Sequence, residues 1–552
     1  MIDIVQSDFG SGMNLFTHDA ALNPEEYGLA FNVTNRTSAL EALKDDLEDD
    51  EAPDGKKQGL FAFDRYLVLF NAGLCYYRNV DDAEWTQIED IFVDSTVDYI
   101  FAQAVPASTF NFKRVLSIPD QIDGTGANTN ITVQPVVISP TLSGLVVQDG
   151  INQGWFISPT AVASRLNRYS EWTTTDRSYV PIMRQMAFIN GILFGISPDR
   201  KKLFRSVSGR PLDFVVNIDV NGDKGGNADT VSYAVSYDDI NCIRPLNSGE
   251  LLVATHRNCF PIEFNYDKLI FQEPTFLNRK PISAGVVNQE SFIDILGDYA
   301  FIDFDGLRSF NAVAMLTNEG RNSIFSLFIA NAFRNVKQEI IKSASIVFDN
   351  YAIFSLKTIY GSVLAVYDTL RQKWNSFVDL DAPIKQFAIS DTADNPTLFG
   401  ITETKVLKLF SSSTYREARV RFKAVNSAKA SSEILLKNVR AVFDSSTSIS
   451  PVTATEIVNN RVRNSVIISD VLGRNPPGIL YPVMYPITYY STGTTDVLNF
   501  NFERLSKIGW KVSPEVRWQN DAKLLMLQTQ VEEQTQTTAL RQQGSLYTSG
   551  TL

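Results

Sequence analysis

At 552 residues the chain is longer than one hydrophobic core usually serves, so two or three domains are expected unless a repeat spreads the core out. Hydrophobic content of 44% against 20% charged residues excludes disorder for the bulk of it, and 36 Phe and 20 Tyr set among Val, Ile and Thr favour strands over helices. The net charge of −12 argues against a surface built to hold nucleic acid through its phosphates.

Reactive side chains are scarce. Cys75, Cys242 and Cys259 are odd in number and contain no CxxC pair, so they read as small core hydrophobes, neither a disulfide framework nor a thiolate metal site. His18 and His256 are the only histidines, which removes His-based zinc sites and leaves a Ser-His-Asp triad poorly supplied. No cofactor is expected. The N-terminus lacks a basic start followed by an apolar core, and no run approaches the ~20 apolar residues that cross a bilayer. The expectation is a protein made in the cytosol, without a signal peptide and without membrane insertion.

Residues 1–55 read as an irregular N-terminal arm, with a glycine-punctuated turn at 8–14, a polar turn at 23–26 and a short strand at 29–33. The arm ends in DDLEDDEAPD, where Asp45, Asp46, Glu48, Asp49, Asp50, Glu51 and Asp54 put seven carboxylates in ten residues. Such a run cannot bury itself without a large desolvation cost, so it is expected as a solvated loop. It serves either solubility or, as candidate site residues, contact with a channel or partner. The DxDxDG spacing of a calcium loop is absent.

Hairpin units then recur. Residues 60–79 turn at Asn71-Ala72-Gly73, residues 144–157 at Asp149-Gly150, and residues 185–206 at Asn190-Gly191, a strong two-residue hairpin signal. Residues 244–264 turn at Asn247-Ser248-Gly249, and residues 293–310 at Gly297-Asp298 and Asp305-Gly306. Residues 345–377, SIVFDNYAIFSLKTIYGSVLAVYDTLRQKWNSF, carry most of a four-stranded meander, and residues 386–410 add another hairpin. Seven units over residues 60–410 give about 50 residues each, the spacing of propeller blades. Long loops are expected at 106–140 and 221–229, and residues 321–342 are the one helix-compatible segment, with Phe325, Phe328, Ile329 and Phe333 on one face. No unit carries a GH…WD pair. The nearest approach to a sialidase Asp-box, residues 367–374, has Leu370 where Gly belongs.

From Tyr415 the texture changes to alternating charged and apolar residues. Strands are expected at 416–424, at 434–443 as a pair, at 462–471, 488–502 and 518–530, followed by a polar tail at 531–552. The fold class is therefore all-β: a β-propeller of six or seven blades at 56–412, an N-terminal arm, and a β-sandwich-like domain at 413–530.

Several phrases together resemble the tail hub or nozzle (tail tube) proteins of short-tailed bacteriophages. They are GSGMNLFTHDAALNPEEYGLAFNV at 10–33, FINGILFGISPDRKKLFRSVSGRPLDF at 188–214, YAFIDFDGLRSF at 299–310, the 366–374 closure from Tyr367-Asp368 to Trp374, and RWQNDAK at 517–523. The departure lies at 41–54, where such proteins carry a basic, glycine-containing turn. The resemblance implies a non-enzymatic virion protein, assembled in the host cytoplasm as a homo-oligomeric hexameric ring below portal and adaptor proteins, beside other tail proteins or fibres. Double-stranded DNA transits such a ring during retention and ejection without specific binding. Arg200, Lys201, Lys202 and Arg205 then read as subunit contacts or solvated faces. Two other classes stay open: a receptor-binding or fibre-attachment adaptor of the same virion, and a propeller polysaccharide hydrolase or lyase using paired carboxylates among Asp303, Asp305, Asp349 and Asp368.

Overall fold

The computed structural model describes residues 2–105, 143–166, 180–206, 229–232, 238–263, 283–310, 327–390, 396–426, 432–445, 452–468, 496–503 and 508–535, apart from a few short internal stretches, and the strand pair 121–122 and 128–129. Within these the chain is mostly β, built of many small antiparallel sheets.

Seven meanders follow one another. The first runs through Lys57–Phe63, Tyr66–Asn71, Leu74–Asn79 and Thr86–Phe92. The second uses Phe101–Val105, Gly144–Gln148, Trp155–Ile157 and Ala163–Arg165. Arg184–Ile189, Ile192–Ile196, Lys202–Arg205 and Asp229–Ser232 make the third. The fourth and fifth have three strands, Ile240–Pro245, Glu250–Thr255 and Cys259–Glu263, then Phe292–Ile295, Asp298–Asp303 and Gly306–Ser309. Ala344–Phe348, Tyr351–Thr358, Gly361–Asp368 and Lys373–Asp379 form the sixth. Gln386–Ser390, Thr397–Ile401 and Val406–Lys408 form the seventh, whose outer strand pairs with Leu47–Glu48 from the N-terminal arm. The hairpins close where the turn residues adopt positive φ, as at Ala72-Gly73 (49° and 88°), Asn190-Gly191 (49° and 80°) and Asp349-Asn350 (48° and 65°). Those angles match the twist of the flanking strands.

Each second strand is buried on both faces. Consecutive side chains of a strand point to opposite sides, and here they enter different cores. Phe70 meets Leu145 between the first and second sheets, Val146 meets Leu193 between the second and third, and Phe194 meets Val253 between the third and fourth. Leu252 and Phe301, then Ile302 and Phe354, fill the next two spaces. Ile353 with Leu398, and Phe399 with Leu69, complete the series and bring the seventh sheet against the first. The first strands are neighbours in the same order from the first to the fourth meander and from the fifth to the seventh, and Gln386–Ser390 lies beside Lys57–Phe63. Burial is thus spread over seven inter-sheet layers, which is how so long a chain avoids one oversized core.

The arm and the C-terminal region are woven into this frame. Ala30–Phe31 pairs with Lys373–Asp379 on one side and Ala418–Arg421 on the other, so the sixth meander continues through Lys511–Trp518 and Val452–Val458 to Arg461–Ile468 as a ten-stranded sheet. The expected boundary at 412/413 is therefore bridged by hydrogen-bonded strands. A facing sheet orders Asp496–Glu503, Ser432–Ser445, Lys523–Thr535, Leu40–Ala42 and Val33–Thr34, with Ile2–Gln6 also on Lys523–Thr535. Phe9, Tyr27, Phe31, Phe422, Phe443 and Trp518 belong to one buried cluster with the fifth and sixth meanders.

Several expectations are corrected here. Residues 434–443 lie in one long strand, not a pair, and Trp518 ends a strand where a new one was expected to begin. Residues 531–535 belong to a strand, not a tail, because buried Leu527 and Val531 keep the inward alternation going. Among the described residues of the helix-compatible segment, 327–342, the helical turns are 3-10, at Leu327–Phe333 and Ile340–Lys342. The Phe328 carbonyl is taken by the Leu15 and Phe16 N–H groups at 2.6 and 3.1 Å, Asn335 has φ 60°, and Phe328 itself is exposed. The 106–140 loop, apart from its short strand pair, and residues 221–228 lie outside the described residues, as do Phe325, His18 and 536–552.

Candidate functional site: the axial cavity

The first strands of the meanders converge on one cavity of about 630 Å³ that includes space open to solvent. Its walls come from six of the seven sheets or the residues leading into them, among them Tyr99, Arg184, Asn241, Asn288, Ile340 and Gln386. Two of the polar side chains that line it, Gln185 and Asn241, sit at bulges in the leading strands. The register slips at Gln58 in the first sheet, at Gln185 in the third and at Asn241 in the fourth, and Gln185 has φ 59°. A bulge re-aims the extra side chain out of the pleat.

Those side chains stitch the ring. The Lys385 ammonium donates to the Lys57 carbonyl at 2.8 Å, and the Leu60 N–H donates to Gln386 Oε1 at 2.9 Å, joining the seventh sheet to the first. Arg244 Nη2 donates to the Gln289 carbonyl at 2.9 Å, and Asn288 Nδ2 to the Ser343 carbonyl at 2.8 Å. Two bonds skip neighbours: the Tyr99 hydroxyl donates to the Ile340 carbonyl at 3.0 Å, and Gln289 Nε2 to the Met186 carbonyl at 2.7 Å. Second is thereby tied to sixth and third to fifth. Side chains bonded across the centre leave no bore for a duplex.

Burial sets the electrostatics. It raises the Glu290 carboxyl above its ordinary value, with Arg244 opposing, and raises the Tyr99 hydroxyl. Burial lowers Lys385 and Arg184, the latter with Arg200 as a second cause.

The acidic run 45–54 is placed elsewhere, at the outer strand of the seventh sheet, and it is not the wholly solvated loop expected. Asp49 is 8% exposed and accepts from Arg78 at 2.7 Å and from Trp85 Nε1 at 3.3 Å. Asp46 and Asp45 sit 2.5 and 3.5 Å from the Arg416 guanidinium, and Glu48 is 2.6 Å from Lys405. Cations distant in sequence thus meet the desolvation cost that local reading assigns to water. Asp50, Glu51 and Asp54 are exposed.

The four carboxylates considered for hydrolysis have structural partners. Asp303 pairs with Arg308, Asp305 with Lys337 and Asp349 with Arg36, while Asp368 Oδ1 accepts from the Leu370 and Arg371 N–H groups at 3.0 and 2.9 Å. Arg200 and Lys201 share Asp239, Lys202 is exposed, and Arg205, expected on a contact face, is 1% exposed. The cysteines are free and buried, with burial holding each thiol up. Among the described residues, no group of three or more His, Cys, Asp or Glu side chains is placed to hold a metal ion. No helix there is long and apolar enough to cross a membrane.

The amides that line the cavity were missed in the sequence. The signal available was recurrence: Gln185 and Asn241 each stand at the start of an apolar first strand.

Comparison with known proteins leaves the class open. No protein-family model matches the chain, and no curated protein does. Among solved structures, one that is similar in part is PorZ, a bacterial surface component of the type-IX secretion system of Porphyromonas gingivalis, at 9% identity and TM-score 0.34. The match covers 68% of this chain and 39% of PorZ.

Proposed function

We propose that the seven meanders are the blades of one propeller and that the chain is a non-enzymatic structural subunit of a short-tailed phage tail. In this reading identical subunits form a hexameric hub or nozzle ring beneath portal and adaptor proteins. The propeller is an outer wall, and the sheets built from the arm and the C-terminal region help to line the bore. The observation that carries the structural role is the continuous sheet joining the sixth meander, the arm and the C-terminal strands. It leaves no hinge between the two halves, as a load-transmitting wall requires. The bonds across the axis favour a genome path between subunits, not through one. Net charge of −12 suits such a path. Basic contacts release counterions and add affinity, whereas an acidic wall repels the duplex over about 8 Å at physiological salt.

Electron microscopy of purified virions tests this reading: the chain's disc-shaped density is expected six times around the tail axis. A monomeric protein that degrades a polysaccharide would overturn it.

A further inference from the structure

Among the described residues, two sheets end in unpaired edges of opposite charge. Arg461–Ile468 is the last strand of the ten-stranded sheet, paired with Val452–Val458 on one side and with no described strand on the other. Arg461, Val462 and Arg463 are all exposed, and neither guanidinium forms an ion pair or hydrogen bond with a described residue. Leu47–Glu48 is the outermost strand of the seventh sheet and is likewise unpaired on its far side. Leu47 is exposed, and so are Glu48, Asp50, Glu51 and Asp381 around it. One lysine answers these carboxylates. Lys405 pairs with Glu48 at 2.6 Å, and Asp381 and Asp50 add to the pull that holds its ammonium above the ordinary value. Asp50, Glu51 and Asp381 form no ion pair with a described residue, so this rim keeps an excess of negative charge.

The signs decide what each edge can meet. An unpaired edge offers its N–H and C=O groups to any strand that approaches. Two copies of the Arg461–Ile468 edge would set guanidinium against guanidinium, and two copies of the Leu47–Glu48 edge would set carboxylate against carboxylate. Each edge therefore repels its own kind and attracts the other. Within one chain no ion pair joins the two edges among the described residues, so the attraction is left for another molecule. Leu47 and Val462 give each edge an exposed apolar side chain for the desolvated part of a contact. A contact between unlike surfaces of identical chains runs head to tail, and such contacts close into a ring when the rotation allows.

We propose that the basic edge at Arg461–Ile468 of one subunit docks on the acidic rim around Leu47–Glu48 of a second copy, with Arg461 and Arg463 meeting Asp50 and Glu51. The inference rests on the ring reading, for which it supplies the contact between neighbours, but its test does not need the virion. Sedimentation of the purified full chain at micromolar concentration provides that test. Species heavier than the monomer are expected at about 50 mM salt, where screening is weak, and the monomer should prevail at about 500 mM. Arg461→Glu with Arg463→Glu makes both edges acidic, and Asp50→Lys with Glu51→Lys reverses the rim. Each double variant alone should associate at least about tenfold more weakly than the native chain. Mixed in equal amounts they should associate again, because the two variants alternate without mismatch in a ring of six, and a misfolded variant cannot give that rescue. The inference is overturned if the native chain stays monomeric at low salt, if salt leaves its association unchanged, if either variant associates as the native chain does, or if the mixture stays monomeric. A ring seen in virions beside a failed rescue would remove this contact and leave the tail reading standing, whereas rescue without any copy in the tail would do the reverse.

Discussion

At the scale of single residues, charge burial decides more than charge number. Asp49 and Arg78 meet at 2.7 Å with side chains 4% and 2% exposed, and the guanidinium also lies 4.7 Å from the Trp85 ring centroid. Removing one member of such a pair strands the other, which costs about 3–5 kcal/mol. Asp49→Ala is therefore expected to lower the unfolding free energy by about 3 kcal/mol in urea titration, whereas Asp50→Ala, at an exposed position, should change it by less than about 0.5 kcal/mol. Equal effects would contradict the pairing. Glu290 makes the opposite kind of statement. Burial holds its carboxyl above the ordinary 4.5, so the folded chain binds that proton more tightly than the unfolded chain. Stability is lost as pH rises from 4.5 through the raised value. Relative to the native chain, Glu290→Gln should gain stability across that window and keep a constant difference above it. Denaturation curves from about pH 4 to about pH 8 check this, and parallel curves throughout would contradict it.

At the scale of elements, the N-terminal arm is the fastening. Gly12 has φ 80°, and a Cβ there would lie 2.4 Å from the Trp374 carbonyl oxygen. Tyr27 donates to the Asn375 carbonyl at 2.8 Å on the same strand. Gly12→Ala combines a left-handed backbone with a clash against main chain, and is expected to cost about 2 kcal/mol. Proteases should then cut residues 1–30 faster in limited digestion, and an unchanged digestion rate would contradict the close approach. The meanders were legible in the sequence because each carries its own information: Asn190-Gly191 fixes a turn, and apolar pairs such as Leu193-Phe194 announce a strand buried on both sides. The arm was legible only in part. The short strand expected at 29–33 is there as Ala30–Phe31, but its pairing, and the whole of Leu47–Glu48, depend on distant partners that supply the hydrogen bonds, and no local pattern records that. The helix-compatible stretch misled for the same reason, since its Phe328 carbonyl bonds to Leu15 and Phe16, some three hundred positions away.

At the scale of the whole molecule, seven inter-sheet layers and one continuous sheet make a frame that orders its parts without a single dominant core. The acidic run was visible in the sequence, but its division into paired and solvated carboxylates depends on Arg78, Lys405 and Arg416, which only folding brings near. The axial amides were equally hidden, because a glutamine at a bulge reads like any polar residue at a strand start. The central claim is that this frame serves as a wall in a ring. Cryo-electron microscopy of the intact virion measures it directly. The account predicts six copies beneath the portal, each with its seven-sheet disc facing outward and a genome path between copies, and a single copy at the tip of a fibre, or none in the tail, would contradict it.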